Sequence, residues 1–334
     1  TQTTVLSSSA IDVNNNFYVY GSTSNLGNVN TCSSSTNGRL PICTPPGAHF
    51  QEFSAKTDLY LVKFNTNGQI IWSTFYGGSL FDVTPNGNNS IEIDNAGSVY
   101  LTGQTEGNFP GVLNYPGNQS VFGGLNDAFI VKFNNSGVRT FASYIGGNGN
   151  DVGNAIGFIP SYGYSVVGNT TSTNFPILNG LANFYQSTFA GNTDGFYTQF
   201  NINNTKAHST YFGGSEQDEI KSISFTNLNS QNIILAGSTN STNFYTKDIT
   251  TSPNDYYDPQ LNTNPNELNT DGFFTDITYN CGSICRELED FDINNFKAIK
   301  IFPNPSDKNL TFLVGEETFY KISIKNILGA EIKI

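Results

Sequence analysis

The sequence has no methionine, one tryptophan, two histidines and four cysteines, and it sets 15 lysines and arginines against 27 aspartates and glutamates. Each shortage excludes something. The formal net charge of -12 repels phosphate backbones and anionic headgroups over most of the surface, which argues against a nucleic-acid partner. No run approaches the roughly 18 apolar residues that a membrane helix needs, so no transmembrane segment is expected. Residues Thr1 to Ala10 lack the charged and apolar regions of a signal peptide. Because translation starts with methionine, its absence predicts a mature form or a fragment. Charged residues, at 13%, are too sparse for a coiled coil or a set of surface helices. Dense Asn, Ser, Thr and Gly with 27 Phe and 17 Tyr instead predict an all-β chain of short strands and polar turns.

A repeat organises that chain. Asp58 to Phe64 (DLYLVKF) recurs at Asp127 to Phe133 (DAFIVKF), Asp194 to Phe200 (DGFYTQF) and Asp271 to Ile277 (DGFFTDI), a period of about 68 residues with a longer last interval. A glycine pair follows each of the first three at Gly77-Gly78, Gly146-Gly147 and Gly213-Gly214. Five residues beyond the first glycine stands Asp82, Asp151 or Asp218. Each unit closes in G-x-T at Gly103 to Thr105, Gly168 to Thr170 and Gly237 to Thr239, then Asn-Phe at Asn108, Asn174 and Asn243. Gly21-Ser22-Thr23 is the same element of an earlier unit.

One unit predicts four strands: Asp58 to Phe64, Gln69 to Tyr76, Ser90 to Asp94 and Ser98 to Thr105, with hairpin signals at Asn67-Gly68 and Asn95-Ala96-Gly97. In the first strand Tyr60, Phe129, Phe196 and Phe273 form one column and Leu61, Ile130, Tyr197 and Phe274 the opposite one. Apolar residues on both faces predict a sheet packed between neighbouring sheets. A four-stranded meander sandwiched by its copies is the description of a propeller blade, so a β-propeller of four-stranded blades is expected. The half unit at Ala10 to Asn25 and the strand Asp271 to Asn280 are expected to join as a blade closed by both ends, making four blades, or to belong to a larger ring.

The same residues carry a resemblance. D-x-F-x-x-K-F, N-x-x-G, Y-x-G-G, the following Asp, G-x-T and N-F-P together resemble the SBBP-type bacterial β-propeller repeat, over roughly residues 10 to 280. That family implies a propeller on a secreted or surface protein. The chain departs from the pattern where Gln199 and Asp276 replace Lys63 and Lys132, and where Tyr245 replaces Pro110 and Pro176. Beyond the repeat, short alternating strands are expected at Ala298 to Phe302, Leu310 to Val314, Tyr320 to Asn326 and Glu331 to Ile334, a small β-sandwich. The segment ending Phe302-Pro303-Asn304-Pro305, with Ile322 to Asn326 and Leu328-Gly329, resembles the C-terminal sorting domain of type IX secretion substrates. Its marker residues here are Pro303, Asn304, Pro305, Asn326 and Gly329. The resemblance implies export by the type IX machinery of a Bacteroidetes-type bacterium, with the domain truncated about half way. The chain thus divides into a propeller over 1–290, with a partial unit at 1–57, units at 58–126, 127–193 and 194–270 and a partial unit at 271–290, and a sorting domain over 291–334.

Four cysteines fit an extracytoplasmic location as two local disulfides, Cys32 with Cys43 and Cys281 with Cys285; a shared zinc is the competing arrangement. His208 occupies the column of Trp72 and Phe141, an aromatic packing position. His49 stands in an inter-unit loop, near Gln51, whose equivalents are Gln119, Gln186 and Gln260. No nucleophile elbow, H-E-x-x-H helix or phosphate-binding glycine loop is present. Asp82, Asp151 and Asp218 are expected to cap turns, or, if they face a central channel, to hold calcium through oxygen ligands. Tyr115, Tyr185, Phe244, Tyr245, Tyr256 and Tyr257 lie in long connections, where aromatics beside Asn and Asp serve sugar binding or packing.

Together these features predict a secreted or cell-surface binding or structural module, engaged in adhesion or in glycan or protein recognition. The alternative is an extracellular polysaccharide lyase or hydrolase with a site in the channel.

Overall fold

In the computed structural model the described residues are 4–24, 29–30, 32, 40–49, 51, 56–85, 89–107, 109, 118–159, 162–178, 186–225, 231–244 and 271–279, with short strands at 300–301, 312–313, 324–325 and 331–332. All regular structure among them is strand. The chain divides into two compact units, Thr1–Cys285 and Arg286–Ile334.

The first unit begins with β1 (Thr4–Ile11) and β2 (Phe17–Thr23), the short parallel pair β3 (Val29–Asn30) and β4 (Pro41–Ile42), then β5 (Asp58–Phe64) and β6 (Ile70–Tyr76). Strands β1-β2-β5-β6 form the first antiparallel sheet. The second contains β7 (Asp82–Val83) and β8 (Ile91–Ile93), two pieces of one inner strand, followed outward by β9 (Val99–Thr105), β10 (Asp127–Phe133) and β11 (Arg139–Ile145). The third is β12 (Asp151–Ile159), β13 (Gly163–Thr170), β14 (Asp194–Phe200) and β15 (Lys206–Phe212). The fourth has β16 (Asp218–Phe225), β17 (Gln231–Thr239) and β18 (Asp271–Tyr279).

Two sequence expectations are corrected by this topology. The four strands of one repeat do not share a sheet: β5 and β6 end the first sheet, while the inner strand and β9 begin the second. The glycine pair is therefore the crossing between sheets, not a turn within one. Nor do the two ends of the repeat region complete one blade, because β1 and β2 pair with β5 and β6, whereas β18 pairs with β17. Among the described residues the sheets follow one another in order and no closed ring forms.

Successive sheets bury their facing sides, and the two columns of the repeat supply them. Leu59, Leu61, Trp72 and Tyr76 of the first sheet meet Phe129, Val131, Phe133 and Tyr144 of the second. On the other face of the second sheet, Ala128, Ile130, Phe141 and Ile145 meet Tyr164, Val166, Phe196 and Tyr211 of the third. The third meets the fourth through Val167, Tyr197 and Phe212 against Ile220, Ile223, Ile233 and Leu235. Fully burying one such side chain stabilises by about 1.5–3 kcal/mol, so these interfaces supply much of the driving force. The remaining face of the first sheet, with Tyr60, Val62 and Phe75, is covered by Ile42 on the loop that a Cys32–Cys43 disulfide closes.

Hairpins at one end share one turn. Asp12, Asn65, Asp94, Asn134 and Asn201 each accept, on side-chain Oδ1, the backbone N–H groups two and four residues on. The fourth residue of each turn has positive φ: Asn15, Gly68, Gly97, Gly137 and Asn204. Glycine or asparagine is needed there because other side chains clash in that conformation. The result is the three-residue loop with a bulge rather than a two-residue turn; three of these hairpins also shift register one pair further on, at Lys63/Phe64, Lys132/Phe133 and Gln199/Phe200.

In the second unit β19 (Lys300–Ile301) pairs antiparallel with β20 (Phe312–Leu313), and β21 (Ile324–Lys325) with β22 (Glu331–Ile332), inside the four stretches expected as strands.

Candidate functional site

The repeat signature assembles into a joint between consecutive sheets. Asp127, at the start of β10, and Asp151, at the start of β12, are both fully buried and both lie against Gly146, their oxygens 2.6 and 2.7 Å from where a Cβ on that glycine would stand. Asp58 and Asp82 flank Gly77 in the same way, as do Asp194 and Asp218 at Gly213. Glycine is required because any side chain would occupy the space of the carboxyls. Asp151 Oδ2 accepts the Gly147 N–H at 2.8 Å and the Ser172 hydroxyl at 2.8 Å, while Thr170 donates to Oδ1. Asp127 Oδ2 accepts Gly123 N–H at 2.9 Å and the Gln119 amide at 3.0 Å. Gln119 Oε1 in turn accepts the Gly146 N–H, and Gln186 repeats the clamp with Asp194 and Gly213.

The Asn-Phe pairs divide their work. Asn174 Oδ1 accepts the Asn148 N–H at 2.7 Å and Asn243 Oδ1 accepts that of Ser215 at 2.8 Å, pinning the glycine crossings. Their phenylalanines enter the core: Phe175 packs on Phe196, and Phe109 on Phe129, with centroids 4.7 and 4.6 Å apart. Phe244 packs 4.7 Å from Phe273 and 5.5 Å from Phe212, so it is a core contact and not the exposed binding aromatic expected of it.

Asp82, Asp151 and Asp218 cap their crossings. The structure does not gather them into one cation site; each is paired instead with the aspartate of the preceding sheet. Among the described residues no three His, Cys, Asp or Glu side chains cluster to hold a metal. Burial, with the neighbouring carboxylate as a smaller contribution, pushes Asp82 and Asp127 up to about 7 and Asp194 to about 6; burial also raises Asp151. Burial pushes the inner-strand Glu92 up to about 7 as well.

The opposite end holds charge in another form. Lys63, on β5, lies 3.5 Å from Asp12 and bonds to Asn135 on the second sheet, with Tyr18 donating to Asp12 at 3.1 Å. Lys132 stands 4.8 Å over the Tyr100 ring, whose hydroxyl donates to Asp94.

Neither histidine is placed for chemistry. His208 is buried in the column of Trp72 and Phe141 beside Tyr197, and burial lowers it to about 4. His49, in its inter-unit loop, packs its ring against Tyr76 and Phe133, and burial lowers its pKa too.

The long connections all leave the end of the stack that carries the joints. In register, Thr23 faces Asp58, Thr105 faces Asp127, Thr170 faces Asp194 and Thr239 faces Asp271, so each of these connections starts and finishes at that end of its sheet. A cleft of about 360 Å³ opens there, lined by Asn174, Phe175, Ile177, Thr188, Phe189 and Tyr211. Its Tyr211 hydroxyl is committed, accepting from Phe175 N–H and donating to Ser172 carbonyl. Tyr115, Tyr185, Tyr245, Tyr256 and Tyr257 lie outside the described residues, as do Cys281, Cys285, Pro303, Asn304, Pro305, Asn326 and Gly329. Cys32 and Cys43 form the expected disulfide. No helix among the described residues is long and apolar enough to cross a membrane.

No family model matches the chain, and no curated protein matches it.

Proposed function

We propose that the chain is a secreted or cell-surface recognition module, a β-propeller of SBBP-type repeats whose ligand, an extracellular glycan or protein, is met by the loop end. One observation carries this reading: the signature residues of the repeat are spent on joining sheets, while the connections that differ in length and sequence all start and finish at the joint end of their sheets. A rigid scaffold with variable loops on one side is how binding sites are commonly built. The side chains that would contact a ligand are the loop tyrosines Tyr115, Tyr185, Tyr245, Tyr256 and Tyr257, beside Asn and Asp. The C-terminal segment serves as a type IX sorting domain and takes the protein to the outer surface of a Bacteroidetes-type cell.

The test is binding of the purified full chain to arrays of glycans and of extracellular matrix proteins, with and without calcium. Saturable binding that falls at least tenfold when loop tyrosines are changed to alanine supports the reading. A blank on both arrays, or polysaccharide turnover abolished by one loop carboxylate substitution, overturns it. For the address, removing residues 291–334 in a host with type IX secretion should leave the protein inside the outer membrane.

A further inference from the structure

Each joint brings two carboxyl groups together. At the middle joint the Oδ2 of Asp127 and both oxygens of Asp151 are supplied with N–H and O–H donors, but Asp127 Oδ1 has none. That oxygen is buried and lies against Gly146 together with Asp151 Oδ2. At Gly213 Asp194 Oδ1 likewise lies against Asp218 Oδ2, but there Asp218 Oδ1 lacks a donor as well. At Gly77 the pair is Asp58 Oδ1 and Asp82 Oδ2. Leaving a buried acceptor unpaired costs about 1–3 kcal/mol, and two neighbouring buried charges of one sign cost more. At the middle joint a single proton removes both penalties.

We propose that Asp127 and Asp151 share one proton at neutral pH, the carboxylic acid of one donating to the carboxylate of the other. The joint between the second and third sheets then carries one negative charge instead of two.

The surroundings favour a proton over a metal ion. The N–H and O–H groups around each pair point their positive ends inward, which repels a second cation. The titratable groups facing the pairs are Glu106, Tyr20 and Tyr76 around Asp82, Tyr144 near Asp82 and Asp127, and Tyr211 near Asp151 and Asp194. Among the described residues no lysine or arginine is one of the groups acting on Asp82, Asp127 or Asp194. The upward shifts of these three carboxyls agree with the geometry, and such pairs titrate as a unit.

The sign of the consequence is fixed. A carboxyl whose folded pKa exceeds its unfolded value stabilises fully below the unfolded value, near 3.8, and this stability is lost as pH rises through the folded value, about 7 for Asp127. Glu92, His49 and His208 titrate in the same window, so the informative quantity is a difference between two proteins. Asp127→Asn is the matched variant: its carbonyl accepts from Gly123 and Gln119, and its amide donates toward Asp151 at any pH. The melting temperature of full-length Asp127→Asn minus that of wild type should rise by about 3 °C or more between pH 5 and pH 8. A difference that is flat or falls with pH overturns the proposal. Infrared spectroscopy of the wild type at pH 7 gives a reading that needs no variant. A buried carboxylic-acid carbonyl band, absent at high pH, is expected, and its absence at pH 7 overturns the proposal. Calcium that raises the wild-type melting temperature at pH 8 but not that of Asp127→Asn would show a metal in place of the proton, and overturn it equally.

Discussion

Lys63 and Asp12 form a buried ion pair at 3.5 Å, and the repeat carries a lysine at this column only where the hairpin turn beneath it begins with aspartate. Lys132 has Asp94; in the third sheet, where Gln199 replaces the lysine, Tyr164 donates to Asn204 instead. The substitution that breaks the repeat pattern is thus half of a paired change. Removing one partner of a buried pair is expected to cost about 3 kcal/mol. The double variant Asp12→Asn, Lys63→Gln should cost clearly less than the sum of the singles, because Asn65, Asn134 and Asn201 already cap the same turn. Urea unfolding of the four proteins of the cycle measures this, and strict additivity would show the pair to be uncoupled.

Gly146→Ala places a methyl carbon 2.6 Å from Asp127 and 2.7 Å from Asp151. Both carboxyls are held by several hydrogen bonds and cannot retreat. A loss of about 3 kcal/mol or more is expected, against about 1 kcal/mol for an ordinary strand substitution. Denaturant midpoints check it, and a loss under 1 kcal/mol would mean the joint yields freely.

The Cys32–Cys43 disulfide closes a short loop whose Ile42 covers Tyr60, Val62 and Phe75. Pro41 carbonyl also accepts from the Tyr60 and Ser73 hydroxyls. Reduction, or Cys32→Ser with Cys43→Ser, should destabilise by about 2–3 kcal/mol. Binding of a hydrophobic dye should rise as that face opens, and an unchanged melt with confirmed free thiols would show that the loop stays in place without it.

His208 is held neutral by burial, with its pKa lowered to about 4. Stability from this group is complete above the unfolded value, near 6.5, and is lost as pH falls through the folded one. His208→Phe, matching Phe141 in the same column, should therefore gain stability relative to wild type at pH 5 and much less at pH 8. Parallel melting curves at the two pH values give the answer, and an equal effect at both would assign it to packing alone.

Much of the architecture was legible because the repeat marks its own spacing: the strand starts at Asp58, Asp127, Asp194 and Asp271 are those of β5, β10, β14 and β18. The phase was not legible. Sequence repetition fixes a period, but which four strands hydrogen-bond together depends on where the chain crosses between sheets, and a glycine pair at a strand end looks like a turn. The joint was half visible. Asp82, Asp151, Asp218 and the Gln119 and Gln186 column stand out by recurrence, yet their partners stay hidden because Asp58, Asp127 and Asp194 read in the sequence simply as strand starts. A polar residue opening an otherwise apolar strand in every unit was the available signal. Phe244 shows the reverse error: it follows an asparagine in a connection, as a loop aromatic would, but repeats the core position of Phe109 and Phe175.

Because each joint draws one aspartate from a finished sheet and the other from the first strand of the next, the unit that repeats in the gene is out of step with the unit that folds. Duplicating or deleting one repeat splices half of one sheet to the matching half of another and restores every joint with its proper partners. Chains of this kind can change length by recombination without passing through a broken intermediate, and the loops on the shared end can be exchanged at the same time.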